Sequence, residues 1–193
     1  MPITLNGSGT VSGISVGGLP DGIIQSADIA SGVIPDGGKI LQVKQTKVTS
    51  AVSINGVTSY ADLTGLNVSI TPTSANNKIL VMVDIKASTA GEVIFKLVRN
   101  STDVGNSTAG YYTSFHGLFG NTNRSHYYDL QPIQFNFLDD AQDTNAHIYK
   151  VQWSNITSVF SCINRTAYHT GVANYSYSGS SSIMAMEVAA WVN

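Results

Sequence analysis

The stretch that decides the fold is NKILVMVDIKA, residues 77–87, in which apolar and polar side chains alternate. One face of this stretch collects Ile79, Val81, Val83, Ile85 and Ala87, and the opposite face carries Asp84 and Lys86. A period of two is typical of a β-strand with one buried face. The segment LNVSITP, residues 66–72, alternates in the same way and stops at a proline, which cannot donate to a central strand pairing. Both segments are predicted strands.

The same alternation recurs downstream. Its apolar positions are Val93, Phe95 and Leu97, then Ile133, Phe135 and Phe137, then His147, Tyr149, Val151 and Trp153. The last such segment, residues 183–192, is apolar on both faces apart from Glu187, which is typical of a central strand or one covered by another subunit. No segment shows a helical period with caps. About nine or ten short strands separated by polar turns predict an all-β head, an antiparallel, jelly-roll-like β-sandwich over residues 39–193.

The overall composition argues against several classes of protein. Charged residues make up 11% of the chain and the net charge is −2, without a cluster of Lys or Arg, so binding to nucleic acid is not expected. The single cysteine, Cys162, excludes an internal disulfide and is predicted to be a buried, inert thiol. Residues 1–20 lack the basic start and apolar core of a signal peptide. No apolar run approaches the ~20 residues of a membrane span, so membrane insertion is not expected.

A break in composition near Lys39 predicts two parts. Residues 1–38 contain no aromatic residue, Lys or Arg, yet hold nine of the eighteen glycines. Small apolar residues recur between these glycines and are candidates for attachment to a partner: Ile3, Leu5, Val11, Ile14 and Val16. Such a segment cannot form a core alone, because it lacks bulky side chains and its glycines are costly to order. It is either a flexible tail or a trimeric stem ordered by winding around identical chains, and we favour the stem.

The residues offer little for catalysis or metal binding. The four histidines never occur at i, i+2 or i, i+4 spacing, and no CxxC motif or zinc helix is present. Asp139, Asp140 and Asp143 follow a predicted strand but lack the regular loop and the bidentate Glu of a calcium site, so we interpret them as a solvated turn. Glu92 and Glu187, the only glutamates, each fall in a predicted strand rather than as a pair flanking a cleft. We therefore expect neither an enzyme nor a cofactor.

Aromatic residues are concentrated in the second half of the head. Fourteen of the seventeen aromatics lie between Tyr111 and Tyr177, several in segments rich in Ser, Asn and Gly. This mixture is typical of adaptable recognition loops, and the same rings suit stacking on sugars. The alternative is that they are strand aromatics and ordinary turns. The predicted recognition residues are Tyr111, Tyr112, His116, Phe119, Arg124, His126, Tyr127, Tyr128, Tyr168, His169, Tyr175 and Tyr177.

The chain resembles the tail fibres of bacteriophages, especially marine and cyanobacterial ones. The resemblance lies in ITLNGSGTVSGISVGGLPDGIIQSADIASGVIPDGGKILQV (residues 3–43), which is similar to a stem-to-head junction, and in NKILVMVDIKAS, IFKLVRNSTDVG and IMAMEVAAW, which are similar to core strands of the heads. It implies a homotrimer with a head similar to the C1q and tumour-necrosis-factor folds. It also implies that the N-terminal residues fasten to another virion protein (baseplate, tail or capsid), while distal loops contact the host.

Together these observations predict a short virion fibre protein whose head adsorbs to a host-surface glycan or outer-membrane receptor. An architectural baseplate or capsid decoration protein without a receptor role is the main alternative. A secreted C1q-like lectin is disfavoured by the missing signal peptide, and a glycan hydrolase by the missing carboxylate pair.

Overall fold

The computed structural model describes residues 39–119, 128–168 and 176–190, except for the side chain of Phe119. The predicted stem, residues 1–38, therefore lies outside the described residues. Within the described ranges the chain forms eleven strands and no helix, and so contains no helix able to cross a membrane. The strands are β1 (Ile40–Val48), β2 (Val52–Asn55), β3 (Ala61–Ile70), β4 (Lys78–Thr89), β5 (Glu92–Arg99), β6 (Thr102–Asp103), β7 (His116–Phe119), β8 (Gln131–Asp139), β9 (His147–Asn155), β10 (Phe160–Ile163) and β11 (Ser181–Val188).

These strands form two antiparallel sheets, so the prediction of an all-β antiparallel sandwich is confirmed. Sheet A has the order β1-β11-β4-β10-β2, and β8 also pairs with β4. Strand β11 and then β10 follow one edge of β4, while β8 follows the other edge from Ile79 to Ala87. Sheet B has the order β3-β9-β5, and β6 and β7 both pair with the free edge of β5. Strands distant in sequence are thus neighbours in each sheet.

The core lies between the sheets and consists of the side chains that the alternation predicted. In β4 the predicted inward face, from Ile79 to Ala87, is at most 2% exposed. In sheet B the large side chains of Phe95, Tyr149 and Trp153 are fully buried. Cys162 is buried, as predicted, and burial raises the pKa of its thiol to about 11.

A ladder of phenylalanines closes one open side of the sandwich. Phe115, from the loop before β7, lies 6.4 Å from Phe95 of sheet B and 4.5 Å from Phe135 of sheet A, measured between ring centroids. Phe137 continues the ladder at 6.5 Å from Phe135. The loop bends over this ladder at Gly105, whose φ of +64° is unfavourable for any residue with a Cβ. The loop between β6 and β7 is therefore anchored to both sheets.

Three details differ from the sequence predictions. Strand β3 begins at Ala61 rather than near Leu66, because a bulge interrupts its alternation. Strand β11 is central, as predicted, but ends at Val188. Asp139 does not belong to a solvated turn. It is 5% exposed and accepts hydrogen bonds from Arg99 (2.6 Å) and from the hydroxyl of Tyr149 (2.6 Å), so it links β8 to sheet B.

Candidate receptor-binding surface

The most exposed aromatic group of the described residues is at the tip of the loop between β6 and β7. Tyr111 is 94% exposed and Tyr112 is 39% exposed, and their rings meet edge to face at a centroid distance of 4.9 Å. Ser107 and Ser114 exchange backbone hydrogen bonds of 2.9 and 3.2 Å that close the loop below them. We call Tyr111 and Tyr112 the aromatic tip. Two exposed aromatic rings offer a large apolar area with hydroxyl groups, which is the chemistry of many recognition loops.

The base of this loop is fixed to β5 by one asparagine side chain. The Asn106 carboxamide accepts from the Leu97 N–H at 2.9 Å and donates to the Leu97 carbonyl at 2.7 Å, as a paired strand residue would. The backbone N–H of Val104 also donates to the Leu97 carbonyl. Together with the packing of Phe115, these bonds hold the loop in place, and an ordered loop of this kind loses less entropy than a flexible one if it binds a ligand.

A polar cluster on the outer face of sheet B contacts the loop that carries the aromatic tip. The Tyr60 hydroxyl donates to the Thr113 carbonyl at 2.5 Å, and the Lys96 ammonium lies 4.4 Å from the centre of the Tyr60 ring. Lys96 also pairs with Asp103 at 2.9 Å. Burial, and then the negative charge of Asp103 and the nearby Tyr112, raise the pKa of the Tyr60 phenol. Tyr60 therefore remains a neutral donor that ties β3 to the loop.

A second group of predicted aromatics is gathered separately from the aromatic tip. Tyr128 and Tyr168 meet at a centroid distance of 5.0 Å. Tyr177 is 51% exposed, and its carbonyl accepts from the Thr166 N–H at 3.3 Å. The structure thus brings five predicted recognition residues into two groups: Tyr111 with Tyr112, and Tyr128 with Tyr168, near the segment before β11 that carries Tyr177.

The remaining predicted recognition residues are less informative. His116 lies opposite Phe95 in β7, where partial burial lowers the pKa of its imidazole. Phe119 ends β7, and its side chain is not described. The others lie outside the described residues: Arg124, His126, Tyr127, His169 and Tyr175. The predicted attachment residues, Ile3, Leu5, Val11, Ile14 and Val16, also lie outside them.

Sequence reasoning missed the residues that hold the aromatic tip in place. Tyr60, Lys96 and Asp103 are 8 to 52 positions away from it in sequence and reach it only through strand pairing. Tyr60 offered one signal, because it is the only tyrosine before Tyr111.

The outer face of sheet A has the opposite character, because an apolar row crosses it. Strand register places Val43, Met186, Leu80 and Leu138 side by side on four consecutive strands. Val43 is 52% exposed and Leu138 is 54% exposed, and Met82 next to the row is 38% exposed. We use the name apolar row for five residues: Val43, Leu80, Met82, Leu138 and Met186. A contiguous apolar surface of this kind is typical of an interaction face.

Among the described residues, no group of three or more His, Cys, Asp or Glu side chains is arranged to hold a metal ion. No protein-family model and no curated protein matches the chain.

Proposed function

We propose that the chain is a homotrimeric virion fibre protein, and that its head adsorbs to a glycan on the host surface. The observation that carries the binding role is the aromatic tip, two tyrosines presented to solvent on a loop that Asn106 and Phe115 fix in place. Tyrosine offers a large apolar area with a hydroxyl and loses little conformational entropy when it binds. The phage-fibre assignment comes from the resemblance of the stem-to-head sequence. Residues 1–38 would fasten the head to another virion protein.

The apolar row supports the trimeric part of the proposal. Its residues span four strands of sheet A and include three side chains that are more than a third exposed: Val43, Met82 and Leu138. A chain with only 11% charged residues gains stability by covering such a face with another copy. Three copies would present three equivalent aromatic tips, and avidity could then exceed the affinity of one site by a factor on the order of 10²–10⁴.

Substitution of the aromatic tip tests the adsorption role. Labelled full-length protein is incubated with cells from a bacterial panel and with an array of bacterial surface polysaccharides. We expect Tyr111→Ala to lower binding at least ~10-fold, as for loss of an aromatic hot spot, while Tyr111→Phe retains most of it because the ring remains. Equal binding by wild type and a folded Tyr111→Ala, Tyr112→Ala double variant would remove the aromatic tip from the proposal.

Substitution of the apolar row tests the trimer. Native mass spectrometry of the wild type should give three copies of the 20.4 kDa chain. Leu138→Asp should dissociate the trimer, because it places a charge in the interface. Ile148→Asp is the matched control, since Ile148 is 46% exposed but lies on the outer face of sheet B. A monomeric wild type, or equal effects of the two variants, would contradict this interface.

The apolar row also fits the architectural alternative, in which it docks on a different virion protein. Imaging of the head in the particle separates the two roles. A head that projects outward favours adsorption, and a head enclosed between virion proteins favours a baseplate or decoration role.

A further inference from the structure

A bulge in β3 opens a groove on the outer face of sheet B. Asp62 pairs with Gln152, and pairing then resumes only at Asn67 with Lys150, so five steps along β3 correspond to two along β9. Leu63 and Leu66 both remain in the core, which forces the residues between them outward. Gly65 makes this possible with a φ of +81°, in the left-handed region that favours glycine. Bulges often aim side chains at functional sites.

The groove has the volume of a small-ligand site. This open groove has a volume of about 440 Å³ and is lined by residues 62–65, Asn67, Ile148 and Lys150. Small-molecule sites commonly occupy ~300–1,000 Å³. Two other cavities in the described part of the chain, of about 190 and 170 Å³, fall below that range. The groove is therefore large enough for one ring-sized ligand.

The polar side of the groove is a carboxylate that is already held in place. Asp62 accepts from the Lys150 ammonium at 2.8 Å on one oxygen and from the Gln152 amide at 2.7 Å on the other. These hydrogen bonds, that of Lys150 first, lower the pKa of Asp62, although burial acts in the opposite direction. Each carboxylate oxygen retains a lone pair, and the side chain is 55% exposed. Asn67 adds an amide donor and an amide acceptor beside it.

The groove also has an apolar side, which is fixed as well. Ile148 is 46% exposed at the groove, and its backbone is held by Asn100, whose N–H donates to the Ile148 carbonyl at 2.8 Å. The Asn100 side-chain oxygen accepts from the Ile148 N–H at 2.9 Å. Ile148 lies two residues from Lys150 on the same face of β9. An apolar side chain beside these polar groups matches a ligand that has both hydroxyls and exposed C–H bonds.

We propose that this groove binds one sugar residue of a neutral saccharide. The charges of Asp62 and Lys150 cancel, so the groove does not favour phosphate, a nucleic acid or a free cation. Hydroxyl groups both donate and accept, and they are the ligand chemistry that uses a fixed carboxylate, a shared ammonium and an amide together. The inference rests on the proposed glycan-binding function and assigns it a second site, apart from the aromatic tip.

Direct binding to monosaccharides tests the groove. The full-length protein is titrated with the methyl glycosides of glucose, galactose, mannose, N-acetylglucosamine and rhamnose, and binding is followed by saturation-transfer NMR and calorimetry. We expect at least one glycoside to bind, and Asp62→Asn to weaken it about 10- to 100-fold, the effect of losing a hydrogen bond to a charged group. Asn67→Ala provides a second variant that leaves the ion pair of Asp62 intact.

Two controls keep this outcome separate from that of the adsorption test. Asp140→Asn alters another aspartate that pairs with a lysine, Lys78, and should leave glycoside affinity unchanged. Tyr111→Ala should lower adsorption to cells without changing glycoside affinity. If the wild type adsorbs to cells but binds none of the glycosides, or if Asp62→Asn and Asn67→Ala both bind like wild type, the groove is not a sugar site although the proposed function stands. If the wild type neither adsorbs nor binds a glycoside, both proposals fail.

Discussion

Replacement of Glu187 by Gln should destabilise the head, because this buried carboxylate joins three separate segments. Glu187 is 0% exposed in the central strand β11. One of its oxygens accepts from the Thr73 N–H (2.6 Å), the Thr73 hydroxyl (2.8 Å) and the Asn77 amide (2.6 Å), and the other accepts from the Gln42 amide at 2.7 Å. The carboxylate thus connects β1 and the β3–β4 loop to β11 without a cationic partner among these contacts.

The size of the effect follows from what glutamine can replace. Its carbonyl can keep the bonds from Thr73 and Asn77, but its NH₂ group would face the NH₂ group of Gln42. Gln42 cannot rotate its amide freely, since the same nitrogen donates to the Thr71 carbonyl at 2.7 Å. The loss of one hydrogen bond to a charged group costs ~1.5–3 kcal/mol, and removing a buried charge offsets part of the weakening of the other bonds. We expect a net loss of about 2 kcal/mol, which lowers Tm by about 4–8 °C for a chain of this size.

The direction of the pKa shift of Glu187 determines how its contribution to stability changes with pH. Burial raises the pKa of Glu187, but hydrogen bonds from Asn77, Gln42 and Thr73 together outweigh burial, and the pKa lies below its ordinary value of 4.5. The unfolded chain therefore binds the proton more readily, and the contribution of the carboxylate is present above pH ~4.5 and is lost as the pH falls through the folded pKa.

Urea unfolding at equal chain concentration, at pH 7 and pH 3, measures both effects. The difference in the free energy of unfolding between wild type and Glu187→Gln, here called the stability gap, should be large at pH 7 and smaller at pH 3. Glu92→Gln, at the only other glutamate, should show a smaller gap at pH 7, because Glu92 is half-buried at the start of β5. A Glu187→Gln variant as stable as wild type at pH 7, or a gap that does not change with pH, would refute the reasoning.

Three further predictions concern the packing of the head. Tyr149→Phe should cost about 1.5–3 kcal/mol in urea unfolding, because it removes a buried 2.6 Å bond to Asp139, and a loss under ~0.5 kcal/mol would contradict this. Gly105→Ala should cost about 2 kcal/mol or more, since its φ is +64° and a Cβ would lie 2.6 Å from the Phe137 ring; an unchanged Tm would argue against this strain. Cys162, with a pKa of about 11, should react with a thiol reagent only after unfolding, and rapid labelling of the native protein would show an accessible thiol.

The fold could be predicted from the sequence wherever one face of a strand is buried. The alternation in residues 77–87 identified β4 and its inward face correctly, because a strand packed on one side must place apolar side chains two residues apart. The start of β3 was predicted too late because Leu63 and Leu66 both face the core three residues apart, which breaks the alternation, and the chain bulges outward between them at Gly65. A search for strict alternation cannot locate a bulge, because a bulge is a break in the alternation. The groove, which the bulge in β3 opens, therefore could not be predicted either.

The candidate site was predictable only in its most exposed part. Composition alone pointed to Tyr111 and Tyr112, which the structure places together on a loop tip. The groove around Asp62 left no local signal, because Asp62 and Lys150 are 88 positions apart and become neighbours only through the β3–β9 register. A binding site built across two strands depends on register, and register is set by packing rather than by any short motif.

The opposite characters of the two outer sheet faces suggest how assembly and binding would be combined. If copies associate through the apolar row of sheet A, the outer face of sheet B, with its aromatic tip and the Asp62 groove, points away from the contact. The two roles should then separate experimentally. Leu138→Asp should reduce retention on a surface coated with polysaccharide by a factor on the order of 10²–10⁴, because avidity is lost, yet it should leave the affinity for a free methyl glycoside unchanged. Asp62→Asn should weaken the affinity for the free methyl glycoside and leave the mass of the native assembly unchanged. If Leu138→Asp weakens the free glycoside as much as the coated surface, the sugar site depends on the subunit contact, and the two faces do not act independently.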